Sequence, residues 1–282
     1  MPPVVAFDVL GTCFTLDKVI EATEASLGDY LASNGSSAKG VVLDWFHSTQ
    51  RDFTYLSMCD SYTPMASVFT ATLSRTLSKH LDLPPVRHFI PNSPEPILAA
   101  LKQLTPFPGL KEALQVLRAH GVKIYFVTNG ARDTTIDYIR AAGLQNLVDN
   151  VLSCDDVPRG GNSQERGVAK PDPRVYAHAL RRIKDETGVS SGPVWFCAAH
   201  AWDLVGAKKA GYVLAIWGSL SERLTKHQIS DGVYTTRRAR PAPRTGYLRE
   251  DAARRRWARA CRDRRRPASC AFLVGLAYLV RG

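Results

Sequence analysis

Asp8 closes the apolar run "VVAF", and the chain breaks soon after at Gly11-Thr12, so a strand that is otherwise apolar ends on a carboxylate. Other polar groups stand in the same relation to apolar runs. Thr128 and Asn129 end "VKIYFV", and "HAWD", His200 to Asp203, follows "VWFCAA". Lys170 opens the helical pattern "KPDPRVY". A carboxylate is a weak nucleophile unless it is held rigidly, oriented and kept ionised. A lysine beside it lowers its pKa, and hydroxyl and amide groups such as Thr12, Thr128, Asn129 and the backbone N–H groups after Asp8 can orient it or the substrate. A histidine three residues before an aspartate can take a proton from water. Cys197 and His200 have a ligand-like spacing, but the other partners of a zinc site are missing and Cys197 sits within the apolar "VWFC". A buried core thiol and no metal is the expectation.

For these side chains to meet, they must stand on one edge of one sheet. "PVVAF", "VKIYFV", "VWFCAA" and "YVLAIW" are short, nearly unbroken apolar runs, which is the pattern of parallel strands covered on both faces. "PGLKEALQVLRAHG", "RDTTIDYIRAAG" and "DPRVYAHALRRI" alternate with them and carry helical periodicity. The fold class predicted is α/β, an open parallel Rossmann-like sheet with helices on both faces. In such sheets ligands bind outside the carboxyl ends of the strands, where Asp8, Thr128 and the "HAWD" segment fall. Between the first two strands, residues 15–105 hold several helical patterns and no comparable strand run. They read as an inserted helical domain that leaves through the proline-marked junction "LTPFPG". The core is then 1–14 with 106–236.

The net charge of +11 lies entirely in residues 237–282, where 14 arginines and no lysine face three acidic residues; residues 1–236 balance to zero. The core therefore has no basic face for nucleic acid. The tail lacks a convincing amphipathic period and reads as disordered, or as an aberrant gene end whose frame or splice site is wrong. Its closing "CAFLVGLAYLV" is too short to span a bilayer. Six dispersed cysteines without a C-x-x-C pair, no long apolar run and no leader pattern at Met1 predict a soluble cytoplasmic protein with reduced thiols.

Taken together and in order, "FDVLGT", "VTNG", "KPDPRVY" and "AAHAWDLVGAKKAG" resemble the haloacid dehalogenase superfamily, nearest its L-2-haloacid dehalogenase (type II) branch. The resemblance runs over residues 4–218. It implies a Rossmann-like core with a helical cap and a hydrolase whose Asp8 is a nucleophile that forms a covalent ester. It also implies that Lys170 keeps Asp8 charged, that Thr128 and Asn129 position substrate, and that Asp203 is the acidic residue of the fourth motif; the chemistry of a histidine beside a carboxylate makes His200 with Asp203 the pair that activates water. Trp202 matches an aromatic that lines the dehalogenase pocket. The substrate implied is a small 2-haloacid, a small molecule carrying a carboxylate. No cofactor is expected, and a homodimer is one assembly open to the chain.

Position 10 separates the branches. Phosphatases of the superfamily carry there an aspartate that protonates a basic alkoxide, whereas Leu10 donates nothing and a departing halide needs no proton. A phosphatase that tolerates Leu10 would need Mg2+, and that is the alternative, beside a degenerate non-catalytic member. Other positions depart from the pattern. Ala198 replaces a usual serine, His200 a usual asparagine, and the arginine that the cap normally presents falls on Phe46 or His47, with Arg51 one turn further on the same helical face as His47. Limited proteolysis should trim residues beyond about 236 first, since arginine-dense sequence buries too little apolar surface to offset its ordering entropy. Resistance of Arg254–Arg266 equal to that of the core strands would contradict this.

Overall fold

The protein is described by a computed structural model over residues 2–82, 94–160, 165–189 and 192–216; the expectations for 237–282 lie outside these residues. Five parallel strands form the central sheet in the order β5-β4-β1-β6-β7. They are β1 (Val4–Phe7), β4 (Lys123–Thr128), β5 (Asn150–Ser153), β6 (Val194–Ala198) and β7 (Val213–Ile216). Strand β1 is central, pairing Phe7 with Phe126 on one side and with Cys197 on the other. All four of its residues are buried, which is why its sequence shows no alternation. From β1 the order runs outward through β4 to β5, and the chain then crosses back to β6 and β7. That reversal opens a crevice beyond the carboxyl end of β1, directly at Asp8.

Helices α5 (Leu110–Ala119), α6 (Arg132–Ala141), α7 (Pro173–Thr187) and α8 (Ala201–Lys209) join the strands. Helix α5 buries Leu110, Ala113, Leu114 and Leu117, the stripe that the i, i+3, i+4, i+7 spacing predicts. Helix α7 starts on an Asp172 side chain that accepts from the Arg174 N–H at 2.8 Å, with Pro173 at its first position, and ends on Gly188 in the left-handed region. The four apolar runs all contain strands. The fifth strand, β5, has no apolar run of its own, because its four residues, Asn150 to Ser153, offer only two consecutive aliphatics.

The chain leaves the sheet at β2 (Phe14–Thr15) and returns at β3 (Thr105–Pro106), two short strands that pair antiparallel. Their threonine hydroxyls meet at 2.9 Å. Between them lie α1 (Asp17–Ser33), α2 (Ala38–Met58), α3 (Met65–His80) and α4 (Glu95–Ala100). Trp45 of α2 holds the layer together: its ring meets Phe69 edge-on at 5.1 Å and its indole N–H donates to the Phe69 carbonyl. No helix among the described residues is long and apolar enough to cross a membrane.

The insertion is tied to the sheet on one side. Ser57 accepts from the Ala169 N–H at 2.9 Å, Thr54 donates to the Lys170 carbonyl at 3.2 Å, and the Tyr62 hydroxyl donates to Asp155. Tyr62 can lie there because residue 167 is glycine. With φ at +102°, Gly167 occupies a conformation that resists a side chain, and an added Cβ would stand 2.2 Å from the Tyr62 ring. Gly167→Ala should therefore destabilise the protein by about 2–4 kcal/mol and raise amide exchange around Ser57–Tyr62. An unchanged urea midpoint would mean that Tyr62 yields its place without cost.

Candidate active site

Three charged side chains converge beyond β1. The Lys170 ammonium donates to Asp8 Oδ1 at 3.0 Å and to Asp203 Oδ2 at 3.0 Å. Lys170 is 1 % exposed, Asp203 0 % and Asp8 6 %. The second oxygen of each carboxylate is also engaged, Asp8 Oδ2 by the Thr12 hydroxyl at 2.6 Å and Asp203 Oδ1 by the Tyr176 hydroxyl at 2.5 Å. One cation thus serves two buried carboxylates.

The two acids do not share it evenly. Burial opposes ionisation of Asp8, but Lys170, His200 and Thr12 together outweigh it and hold the carboxyl well below the usual range. Burial dominates at Asp203, where Lys170 and Tyr176 compensate only in part and Asp8 adds like-charge repulsion, and its carboxyl is pushed up to about 6. Burial also works against the charge on Lys170, yet Asp203 and Asp8 more than offset it and raise its pKa. The arrangement keeps Asp8 ionised and places any extra proton on Asp203.

Each member is positioned by a different element. Asp8 continues β1, its N–H donating to the Cys197 carbonyl at 2.9 Å. The turn after it bonds internally: the N–H groups of Thr12, Cys13 and Phe14 go to the Val9 carbonyl and that of Gly11 to Phe14. These amides are therefore spent, and it is the Thr12 side chain that orients Asp8. Its hydroxyl oxygen in turn accepts from the Ala199 N–H at 3.1 Å, tying the turn to the end of β6.

Asn129 and Thr128 act on the scaffold. The Asn129 side-chain oxygen accepts from the Lys170 N–H at 2.9 Å, and the Thr128 hydroxyl accepts from the Gly130 N–H at 2.9 Å. Neither bonds Asp8. Lys170 is thus held through its backbone by Asn129, by Thr54, and through Ala169 by Ser57, while its ammonium lies 5.2 Å from the Phe196 ring centroid.

His200 precedes α8 and faces Asp8. Its Nδ1 is 3.8 Å from Asp8 Oδ2, too far for a hydrogen bond, and this buried atom has no hydrogen-bond partner among the described residues. Asp8 nevertheless raises the imidazole pKa against the effect of burial. Trp202 is 38 % exposed and stacks on the His200 ring at 5.6 Å and 24°. Beneath the imidazole lies Gly11, where a Cβ would meet His200 Cε1 at 2.9 Å and the Phe46 ring at 3.9 Å.

Phe46 is therefore the residue of α2 that reaches the site. His47 is exposed, and Arg51 points to solvent, donating to its neighbour Asp52 at 3.0 Å. Arg51, one turn beyond His47, does not supply the cap's cation: it is exposed and paired with Asp52, while the buried positions of α2 around it are Phe46, Thr49 and Phe53. The only cationic side chains that meet Asp8 among the described residues are Lys170 and His200.

Both convergent carboxylates are committed to the Lys170 ammonium, and the described residues hold no group of three His, Cys, Asp or Glu side chains arranged for a metal. Cys197 is buried in β6 beside a carboxylate, and burial pushes its thiol pKa up, as for a core thiol rather than a ligand.

The sequence profile described as haloacid dehalogenase-like hydrolase matches residues 2–211. The chain belongs to this hydrolase family. It is 26% identical over 232 residues to the (S)-2-haloacid dehalogenase of Xanthobacter autotrophicus, covering 81% of this chain and 79% of that protein. The match to (S)-2-haloacid dehalogenase 4A of Burkholderia cepacia is 32% over 116 residues, 41% of this chain and 45% of the relative. Among solved structures, the Xanthobacter L-2-haloacid dehalogenase with chloropropionic acid covalently bound superposes with a TM-score of 0.59 at 28% identity, over 79% of this chain and 80% of that one.

For a hydrolase of this family, the part of the site that its motifs leave out is what holds them. Tyr176 lies in "KPDPRVY", six residues after Lys170, so its position was on view although its bond to Asp203 was not. Gly206 makes room for it, since a Cβ there would come within 2.5 Å of the Tyr176 ring. Thr54 and Ser57 carry no sequence signal, because their partners are backbone atoms more than a hundred residues away.

Lys170→Met tests the shared cation. Without it both carboxylates stay buried and unpaired, so their folded pKa values rise above the unfolded value near 4. The variant should be most stable at low pH and lose stability as pH climbs through the raised pKa, ending about 3–5 kcal/mol below the parent at neutral pH. Urea midpoints from pH 4 to 8 that run parallel for the two proteins would contradict the assignment.

Proposed function

We propose that the chain hydrolyses 2-haloacids through an ester on Asp8, with α1–α4 serving as its cap. The observation that carries this reading is an aspartate at the switch point held ionised by Lys170 and aimed by Thr12, with Leu10 where a proton-donating acid would be required for phosphate esters. The covalent chloropropionic acid complex of the Xanthobacter relative supports the same chemistry. A cytoplasmic, cofactor-independent enzyme is part of the proposal.

An Asp8 oxygen attacks C2 of the acid, the carbon–halogen bond breaks, and the halide leaves with the bonding electrons. Esterification removes the negative charge of Asp8. The proton that this charge retained on His200 is then released to solvent, and the imidazole becomes a base at the moment when water must be activated. It takes a proton from water as the oxygen adds to the ester carbonyl. The acyl C–O bond breaks, the departing alkoxide recovers a proton from the imidazolium, and the 2-hydroxy acid leaves. Asp8, left as a carboxylic acid, returns its proton to His200.

His200 has this role rather than Asp203, because Asp203 is fully buried and each of its oxygens already accepts a bond. Asp203 serves as the positioning residue of Lys170. With Phe46 in the place of a cap arginine, His200 is also the cation nearest to the incoming acid.

A single turnover of 2-chloropropionate in heavy-oxygen water with enzyme in excess should label the Asp8 carboxylate, without Mg2+. His200→Gln should release one halide per site and then slow by about a hundredfold or more, with the ester accumulating. Asp203→Asn should slow ester formation itself. Label found only in the product would mean direct attack by water, and Mg2+-dependent cleavage of a phosphate monoester with 2-chloropropionate inert would replace this reading by the phosphatase one.

A further inference from the structure

A cavity of about 460 Å³ lies beside the catalytic residues, between the sheet and the helical insertion. Its floor is Val9 and Leu10, the two residues after Asp8, together with Thr128 at the end of β4. Its walls come from Met65 and Phe69 of α3, from Leu98 of α4 and from Tyr138 of α6. This is within the range of sites that hold whole ligands, roughly 300–1,000 Å³, and exceeds what a two- or three-carbon haloacid fills.

Four polar side chains of the lining are hydrogen-bonded to backbone groups. Thr128 accepts from the Gly130 N–H, Thr70 donates to the Ala66 carbonyl at 3.0 Å and Thr135 to the Ala131 carbonyl at 3.0 Å. The Tyr138 hydroxyl donates to the Leu101 carbonyl. An occupant thus meets mainly aliphatic and aromatic surface, with Glu95, Lys102 and Thr134 also among the lining residues. Phe46 and Phe69 stack at 6.4 Å, so the aromatic wall of the cavity is continuous with the ring that stands over Gly11 and His200.

We infer that the cavity takes the apolar tail of the substrate, so that the chain acts on 2-haloacids bearing an aliphatic or arylalkyl chain well beyond that of chloropropionate. This rests on the reaction proposed above. The acid group and C2 stay at Asp8, and the chain passes over Leu10 into the cavity. Leu10 then has a second use as the apolar threshold, which an aspartate at that position would deny.

Chain-length series test this in two arms. In turnover, kcat/KM should rise at least about tenfold from 2-bromopropionate to 2-bromohexanoate, since each methylene buried is worth up to about fourfold. In binding, calorimetry with the unmodified protein should find 2-hydroxyoctanoate at least about tenfold tighter than lactate. Ala66→Phe, which adds a ring on the cavity side of α3, should bring the ratio of the two affinities towards one. Affinities independent of chain length, or a ratio that Ala66→Phe leaves unchanged, would overturn the inference whatever turnover shows. Tight, chain-dependent binding with every 2-haloacid inert would sustain the tail pocket and sink the reaction instead.

Discussion

The site depends on a single ammonium placed between two buried carboxylates. Lys170 reaches Asp8 and Asp203 at the same distance, and each charge would be costly to bury without the others. Lys170 is the cation that both carboxylates share, whereas His200 approaches Asp8 alone. The two acids are therefore favoured unequally: Thr12 and His200 add to Lys170 in favouring the charged form of Asp8, while Asp203, with no exposure at all, is left with the higher affinity for a proton. The consequence is a carboxylate that remains ionised although burial opposes its charge.

Much of the surrounding architecture serves to hold that ammonium still. Lys170 approaches from the segment before α7, and its backbone is fastened by Asn129 from the end of β4 and by Thr54 and Ser57 from the insertion. Tyr176, one turn into α7, fixes the far carboxylate through a gap that Gly206 leaves open. The helical layer is thus more than a roof: it holds the backbone of the residue that sets the charge state of Asp8, and it lines the cavity next to it.

The parallel sheet, the helical insertion and the meeting of Asp8, Lys170 and Asp203 were legible because each depends on a local pattern: an apolar run, a 3.6-residue period, a polar residue at a strand end. What was not legible depends on distant backbone atoms or on competition for hydrogen bonds. Thr128 looks available as a donor in "VTNG", yet its hydroxyl serves the Gly130 amide. Arg51 shares a helical face with His47, but that face is turned to water, because Phe46, Thr49 and Phe53 claim the buried one. That each oxygen of Asp203 accepts a bond, from Lys170 and from Tyr176, has no sequence signal, and β5 is too short and too polar at Asn150 to stand out as a strand.

Carbon-13 NMR of aspartate carboxyls, with Asp8 and Asp203 assigned from single Asn variants, tests the central claim most directly. Asp8 should show no protonation step down to the acid limit of folding, and Asp203 should titrate near 6. A protonation step of Asp8 near neutrality, with Asp203 remaining ionised, would contradict the account.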